Sequence, residues 1–439
     1  MTKSSSPYEQ YPQENLQHKS KYLLGYGAKF TPMVITRAEG SYVYSGDKKI
    51  LDFTSGQMST LLGHGHPEIC ETISQHAYHL DHLFSAMLSP PVLELAEKLT
   101  NLLPKGLDKA MFLSTGSEAN EAAIKLAKVY TGKFEVVGLS LSWHGMTGVS
   151  GGTTYQDGRK NHGPTMPGNL ILPAPNAYRS IFRKQDGSYD WETEMDYGFS
   201  LIDAASVGSL AAVIVEPVMS SGGMIVLPDG YLKSLYTHCK KRGMLLIVDE
   251  AQTAIGRCGS MFGFEASGIV PDILTLSKTL GNGLPLSAVV TSDKIAQKAA
   301  DERFLFYTTH VNDPLPCAVG AKVLDIVIRD NLIQSSAEMG ALFRSELRQL
   351  QNIYKQIGDV RGRGLMTGVE IIKPETKEAD GELAERLADT MMELGLSANL
   401  ISVPAFGGVL RIAPPITVSK EEIMQGVAIF SKSLEEILG

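Results

Sequence analysis

Cysteine is scarce and scattered. The 439 residues hold four, Cys70, Cys239, Cys258 and Cys317, with no Cys-x-x-Cys spacing, which excludes a disulfide framework or a zinc knuckle as the organising element. Positive charge is not in excess either: 40 Lys and Arg face 48 Asp and Glu, for a net charge of -8. Without a basic run the chain lacks the electrostatic footprint that nucleic acid demands. No apolar run reaches membrane-spanning length, and Met1 to Lys19 has none of the apolar character of a secretory leader. Internal repeats and low-complexity tracts are missing too. These absences lead us to expect a soluble, cytoplasmic protein with neither nucleic acid nor membrane as partner.

What is present points to a large α/β protein. The length is roughly three typical domains, enough for one big core with a smaller appended domain. Residues 1–20 read as a flexible N-terminal arm, 21–65 as a segment contributing to the small domain, 66–318 as the large domain and 319–439 as the C-terminal small domain. Helical periodicity falls at 68–81, 92–101, 118–131 and 231–242. Between these lie compact apolar runs at 110–113, 134–138, 211–216, 244–249 and 273–276. The runs are continuous rather than alternating, as strands buried on both faces of a mostly parallel sheet should be. Such a sheet binds ligands at the carboxyl ends of its strands. Beyond Pro314 we expect one long helix through 323–351, Gly-rich strands over 360–370, a helix over 380–394 and a strand near Val409, a smaller α+β domain.

The chemistry-bearing residues follow strands. Asp249-Glu250-Ala251-Gln252 ends one apolar run, and Ser277-Lys278 follows another. Singly, the carboxylate could be a helix cap and the lysine a solvated turn residue. Together they meet the needs of pyridoxal phosphate, a lysine amine for the Schiff base and an aspartate to keep the pyridine nitrogen protonated. Ser114-Thr115-Gly116-Ser117-Glu118-Ala119-Asn120 adds a strand-turn-helix start whose free N–H groups suit a phosphate.

With Trp143-His144-Gly145 and Glu216-Pro217 in the same order, the set resembles the class III aminotransferases, a family of fold-type I pyridoxal phosphate enzymes, over nearly the whole chain. The resemblance implies a large domain with a mainly parallel seven-stranded sheet plus a smaller α+β domain. It implies that Lys278 is the Schiff-base lysine and proton carrier, that Asp249 pairs with the pyridinium nitrogen, and that Gln252 binds the ring's phenolic oxygen. Trp143 would stack on the ring. Thr115, Gly116 and Ser117 would hold the phosphate, with Thr309 reaching in from a neighbouring subunit. A homo-oligomer with active sites shared between two subunits, a dimer or a dimer of dimers, is implied, acting on a small-molecule amino acid and a 2-oxo acid.

Two positions depart from the common pattern. Gln57 stands after Ser55-Gly56, where an apolar or aromatic residue is usual, and Ser221 stands where many ω-amino-acid enzymes carry a Glu that masks the substrate arginine. Arg411 is thereby left to a substrate α-carboxylate by a bidentate contact. With Met146 and the run from Tyr307 to Pro316, these departures resemble the dialkylglycine-decarboxylating members of the family. There Gln57 would hold a carboxylate perpendicular to the ring, so that CO2 rather than a proton leaves. The same resemblance implies K+ or Na+ at Leu83, Ser85, Thr309, Val311 and Asp313. The expected reaction is decarboxylating transamination of 2,2-disubstituted amino acids, with pyruvate regenerating the cofactor and giving L-alanine. The rivals are an ordinary class III aminotransferase acting on an α- or ω-amino acid, and a non-catalytic cofactor binder. Pocket size would depend on Met58, Met146 and Ala405-Phe406. His64 and His66 read as turn residues, and Cys258 as an ordinary thiol.

Overall fold

A computed structural model describes residues 7–8, 18–27, 29–31, 33–156, 162–403 and 407–439. Most of the proposed arm, and Ala405 and Phe406, lie outside them. The chain opens with three short antiparallel strands, β1 (Arg37–Glu39), β2 (Tyr42–Ser45) and β3 (Lys48–Asp52). The central sheet is then built from β4 (Lys109–Leu113), β5 (Glu135–Leu139), β6 (Asn169–Leu172), β7 (Leu210–Val215), β10 (Leu245–Glu250), β11 (Ile273–Leu276) and β12 (Ser287–Thr291). A two-stranded hairpin, β8 (Val218–Met219) and β9 (Ile225–Val226), intervenes.

The order in the sheet is β4-β12-β11-β10-β7-β5-β6, seven strands, and only β12 runs against its neighbours. The continuous apolar runs are explained by its two buried faces. Val213, Val215, Leu246, Val248, Leu274 and Leu276 join one core cluster. The intervening Ala212, Ile214, Leu245, Ile247 and Ile273 join another on the opposite face. Helix Gly116–Thr131 covers the second face with Ile124 and with Ala119, Ala122 and Ala123, whose small side chains let it lie close to the strands.

The C-terminal part carries a second sheet, β13 (Ile357–Arg363), β14 (Met366–Ile371), β16 (Asn399–Val403) and β17 (Gly407–Ile412), in the order β13-β14-β17-β16. Strand β15 (Leu396–Ser397) pairs with β3, so the N-terminal strands are hydrogen-bonded to the C-terminal region. One expectation needs correction. The long helix is two, Pro314–Arg329 and Leu332–Ile353, because Asn331 takes a left-handed conformation (φ 52°) that breaks the ladder between them. The Gly-rich strands form a hairpin, β13 and β14, turning at Gly364, whose φ of 53° favours glycine.

Candidate active site

Strands β10 and β11 are parallel, with Asp249 opposite Thr275 and Glu250 opposite Leu276. Their carboxyl ends therefore meet at one edge of the sheet, and the residues that follow share that edge. There a cavity of about 310 Å³ is lined by Gln57, Trp143, Ser221, Gln252, Lys278 and Arg411, together with Met58 and Asn399. Residues from both sheets and from the N-terminal segment thus converge on one space.

Lys278 enters from a single tight turn, Lys278–Gly281, with φ of 27°, a strained value for a residue with a Cβ. Burial pulls its pKa below the ordinary lysine value, with the Arg411 charge acting in the same direction and Asp249 and Glu216 opposing. Asp249 is 3 % exposed and its orientation is fixed on every side. Oδ2 accepts from Asn120 Nδ2 at 2.7 Å and faces His144 Nδ1 at 2.8 Å, while Oδ1 accepts from the Ala251 N–H at 3.0 Å. Asn120 is itself held by the Thr275 hydroxyl at 2.7 Å.

The candidate phosphate turn is a helix start of standard chemistry. Thr115 Oγ1 accepts from the Glu118 N–H, and Glu118 Oε2 accepts from the N–H groups of Ser114 and Thr115, a capping box that leaves the N–H groups of Gly116 and Ser117 without helical partners. Ser117 Oγ sits among the hydroxyls of Thr147 (2.8 Å) and Ser150 (2.9 Å) and accepts from the Met146 N–H. A side chain at Gly145, where φ is 132°, would overlap Ser117, which accounts for glycine after Trp143-His144. The Trp143 N–H donates to Glu216 Oε1 at 3.0 Å. Glu216 is buried, which pushes its carboxyl up to about 7.

Arg411 is 8 % exposed. Its Nη1 donates to Ser220 and Ser221 Oγ, and its Nε and Nη2 to Asn399 Oδ1. Burial lowers its pKa to about 10, with Glu216 opposing. Gln57 is carried on a sharply kinked turn in which Ser55, Gly56 and Met58 all have positive φ. Arg257, fully buried, ties that turn down by donating to Ser55 Oγ and to the Pro414 carbonyl.

Not every expected residue joins this cavity. Met146 is exposed and lines a neighbouring cavity of about 500 Å³ instead. Leu83, Ser85, Thr309, Val311 and Asp313 lie away from it. Among them, Asp313 accepts from His82 Nδ1 (2.6 Å) on one carboxylate oxygen and from His310 Nδ1 (2.5 Å) on the other. His64 pairs with Asp52 at 2.7 Å, and burial pushes the Cys258 thiol up to about 12. Residues that sequence reasoning gave no role include Asn120, His144 and Glu216, although all stood inside the motifs. Asn399 carried no signal at all.

The mostly parallel seven-stranded sheet, with a smaller domain beside it, defines a fold-type I pyridoxal phosphate transferase. Comparison with known proteins agrees: residues 25–434 match the model of the class-III aminotransferase family, and the chain belongs to that family. It is 52% identical over 417 residues to an uncharacterized aminotransferase of Schizosaccharomyces pombe, covering 94% of this chain and 93% of that one. A probable 4-aminobutyrate aminotransferase of Bacillus subtilis is 32% identical, covering 91% and 92%. The solved omega transaminase from Pseudomonas jessenii in complex with PMP superimposes with a TM-score of 0.88 at 28% identity, covering 96% and 98%.

Proposed function

We propose that the protein transfers the amino group of an α-amino acid to a 2-oxo acid using pyridoxal phosphate. The observation that carries this reading is Arg411, a buried guanidinium aimed into the Lys278 cavity and bound only by neutral oxygens. The residues fit the cofactor. Asp249 is a held carboxylate, Gln252 Oε1 is buried without a protein partner, Trp143 lines the cavity, and the Gly116–Ser117 turn offers N–H groups.

When bound, pyridoxal phosphate supplies an aldehyde that takes up an amine and a conjugated ring that accepts the electron pair released at the α-carbon. Lys278, its pKa lowered by burial, holds more neutral amine near neutrality than a solvated lysine and so takes and returns a proton at Nζ. Asp249, pinned by Asn120 and His144, offers a fixed negative charge to a ring nitrogen. Gln252 supplies a directed side-chain dipole, and Trp143 a flat apolar wall. Arg411 holds the carboxylate of amino acid and 2-oxo acid alike, which fixes the α-carbon relative to Lys278. Thr309 would act from a second subunit, within a dimer or a dimer of dimers.

Gln57 supports a second reading, decarboxylation of 2,2-dialkyl amino acids, because its side chain lines the same cavity as Arg411 and can direct a carboxylate by hydrogen bonding. For K+ or Na+ the structure offers less. Asp313 lies against His82 and His310, nitrogen groups that suit a hard alkali cation poorly, and no step is assigned to an ion. Incubating the purified yellow protein with L-alanine and 2-oxobutyrate, or with 2-aminoisobutyrate and pyruvate, separates the readings. Amino exchange with alanine and no CO2 from 2-aminoisobutyrate is the outcome of plain transamination. Equal acetone, CO2 and new alanine from 2-aminoisobutyrate would establish the second reading, and no amino transfer from either substrate would remove both.

A further inference from the structure

Asn399 and Arg411 are direct partners in the antiparallel register of β16 and β17, so their side chains leave the sheet on the same face. The carboxamide oxygen of Asn399 accepts from Arg411 Nε at 3.2 Å and from Nη2 at 2.6 Å, and the two serine hydroxyls take Nη1 at 3.2 and 3.3 Å. Every one of these acceptors is uncharged. The guanidinium is thus fixed in direction while its charge is left for a ligand. A carboxylate at position 399 would hold the fork equally well but neutralise it. An apolar side chain would leave two buried N–H groups without an acceptor, a cost comparable to a lost charge-assisted hydrogen bond.

Resting on the reading of Arg411 as the carboxylate clamp, we propose that Asn399 is a positioning residue that determines specificity: it orients Arg411 without neutralising it, and so makes the cavity select substrates bearing an α-carboxylate. Asn399 lines the cavity beside Gln57 and Ser221, so the selection acts where the substrate lies.

The test compares Asn399→Asp, Asn399→Ser, Arg411→Leu and the double variant Asn399→Asp/Arg411→Leu. Steady-state kinetics with pyruvate are read beside calorimetric titration of the cofactor-loaded protein with propanoate, a carboxylate that does not react. Asn399→Asp is expected to raise the pyruvate KM about 30-fold with kcat changed by less than about three-fold, and to weaken propanoate in parallel. Asn399→Ser, which keeps a neutral acceptor, raises KM by only about three-fold, and the Asp substitution adds less than about two-fold once Arg411 is gone. If Arg411→Leu raises KM but Asn399→Asp does not, the inference fails while the clamp stands. An equal loss in the Arg411→Leu background would mark Asn399 as merely structural and overturn the inference. If Arg411→Leu changes neither KM nor propanoate affinity, the clamp falls, and the inference with it.

Discussion

At Asp249 a buried carboxylate is held by donors that lie 129 and 105 residues away in the chain, Asn120 and His144. Such an arrangement fixes charge and direction together, which is what a ring nitrogen needs from its partner. Lys278→Ala removes the one amine among the described residues that line the cavity, and turnover should fall by about a thousand-fold or more, measured by amino transfer between L-alanine and a 2-oxo acid. Glu216 gives a prediction in pH. Its carboxyl is raised from 4.5 to about 7 by burial, so the folded state favours the protonated form. Its contribution to stability is complete below about pH 4.5 and lost as pH rises through about 7, on the order of 3 kcal/mol. Urea unfolding across that range should show stability falling with pH, and Glu216→Gln should remove about one proton from the slope. The strand-end lysine and aspartate were legible because type and spacing match a cofactor's needs. Asn399 was not, because strand register alone brings it opposite Arg411, and nothing in the local sequence announces that pairing.

Helix ends and strand limits were the readable part of the elements. Helix Tyr231–Arg242 falls where periodicity put it, and the capping box of Thr115 and Glu118 is visible as spacing. Antiparallel β12 escaped notice, since a short run such as Ser287–Thr291 does not show which way it runs. The long C-terminal helix was over-extended because a single left-handed Asn331 ends one helix and starts the next. Two substitutions probe this scale. Thr115→Ala should cost about 1 kcal/mol in unfolding experiments by removing the cap. It should also weaken cofactor retention on dialysis if this turn cradles the phosphate. Gly340, in helix Leu332–Ile353, lies against the Gly364 carbonyl at the β13–β14 turn. A methyl there would overlap that backbone, so Gly340→Ala should destabilise by about 1–3 kcal/mol by overpacking, read as a lowered urea midpoint.

Over the whole molecule, the active-site cavity takes residues from the N-terminal turn, the central sheet and the C-terminal sheet, so its geometry depends on how these parts close on one another. A boundary at residue 318 would cut helix Pro314–Arg329, so we propose that the two parts divide after that helix, with the N-terminal strands grouped with the C-terminal sheet through the pairing of β3 and β15. No helix among the described residues is long and apolar enough to cross a membrane. Yet Phe84, Leu88, Leu305 and Tyr307 are each more than half exposed, and their segments are joined by the contact of His82 with His310. Exposed apolar side chains on these two segments suit a subunit contact, and we propose that sedimentation equilibrium will give a dimer or tetramer. A fully active monomer would rule out a shared site. The most direct measurement is borohydride reduction of the yellow protein followed by peptide mapping. A single pyridoxyl group on Lys278 is the expected result, and a label on any other lysine would contradict the assignment of this cavity as the catalytic centre.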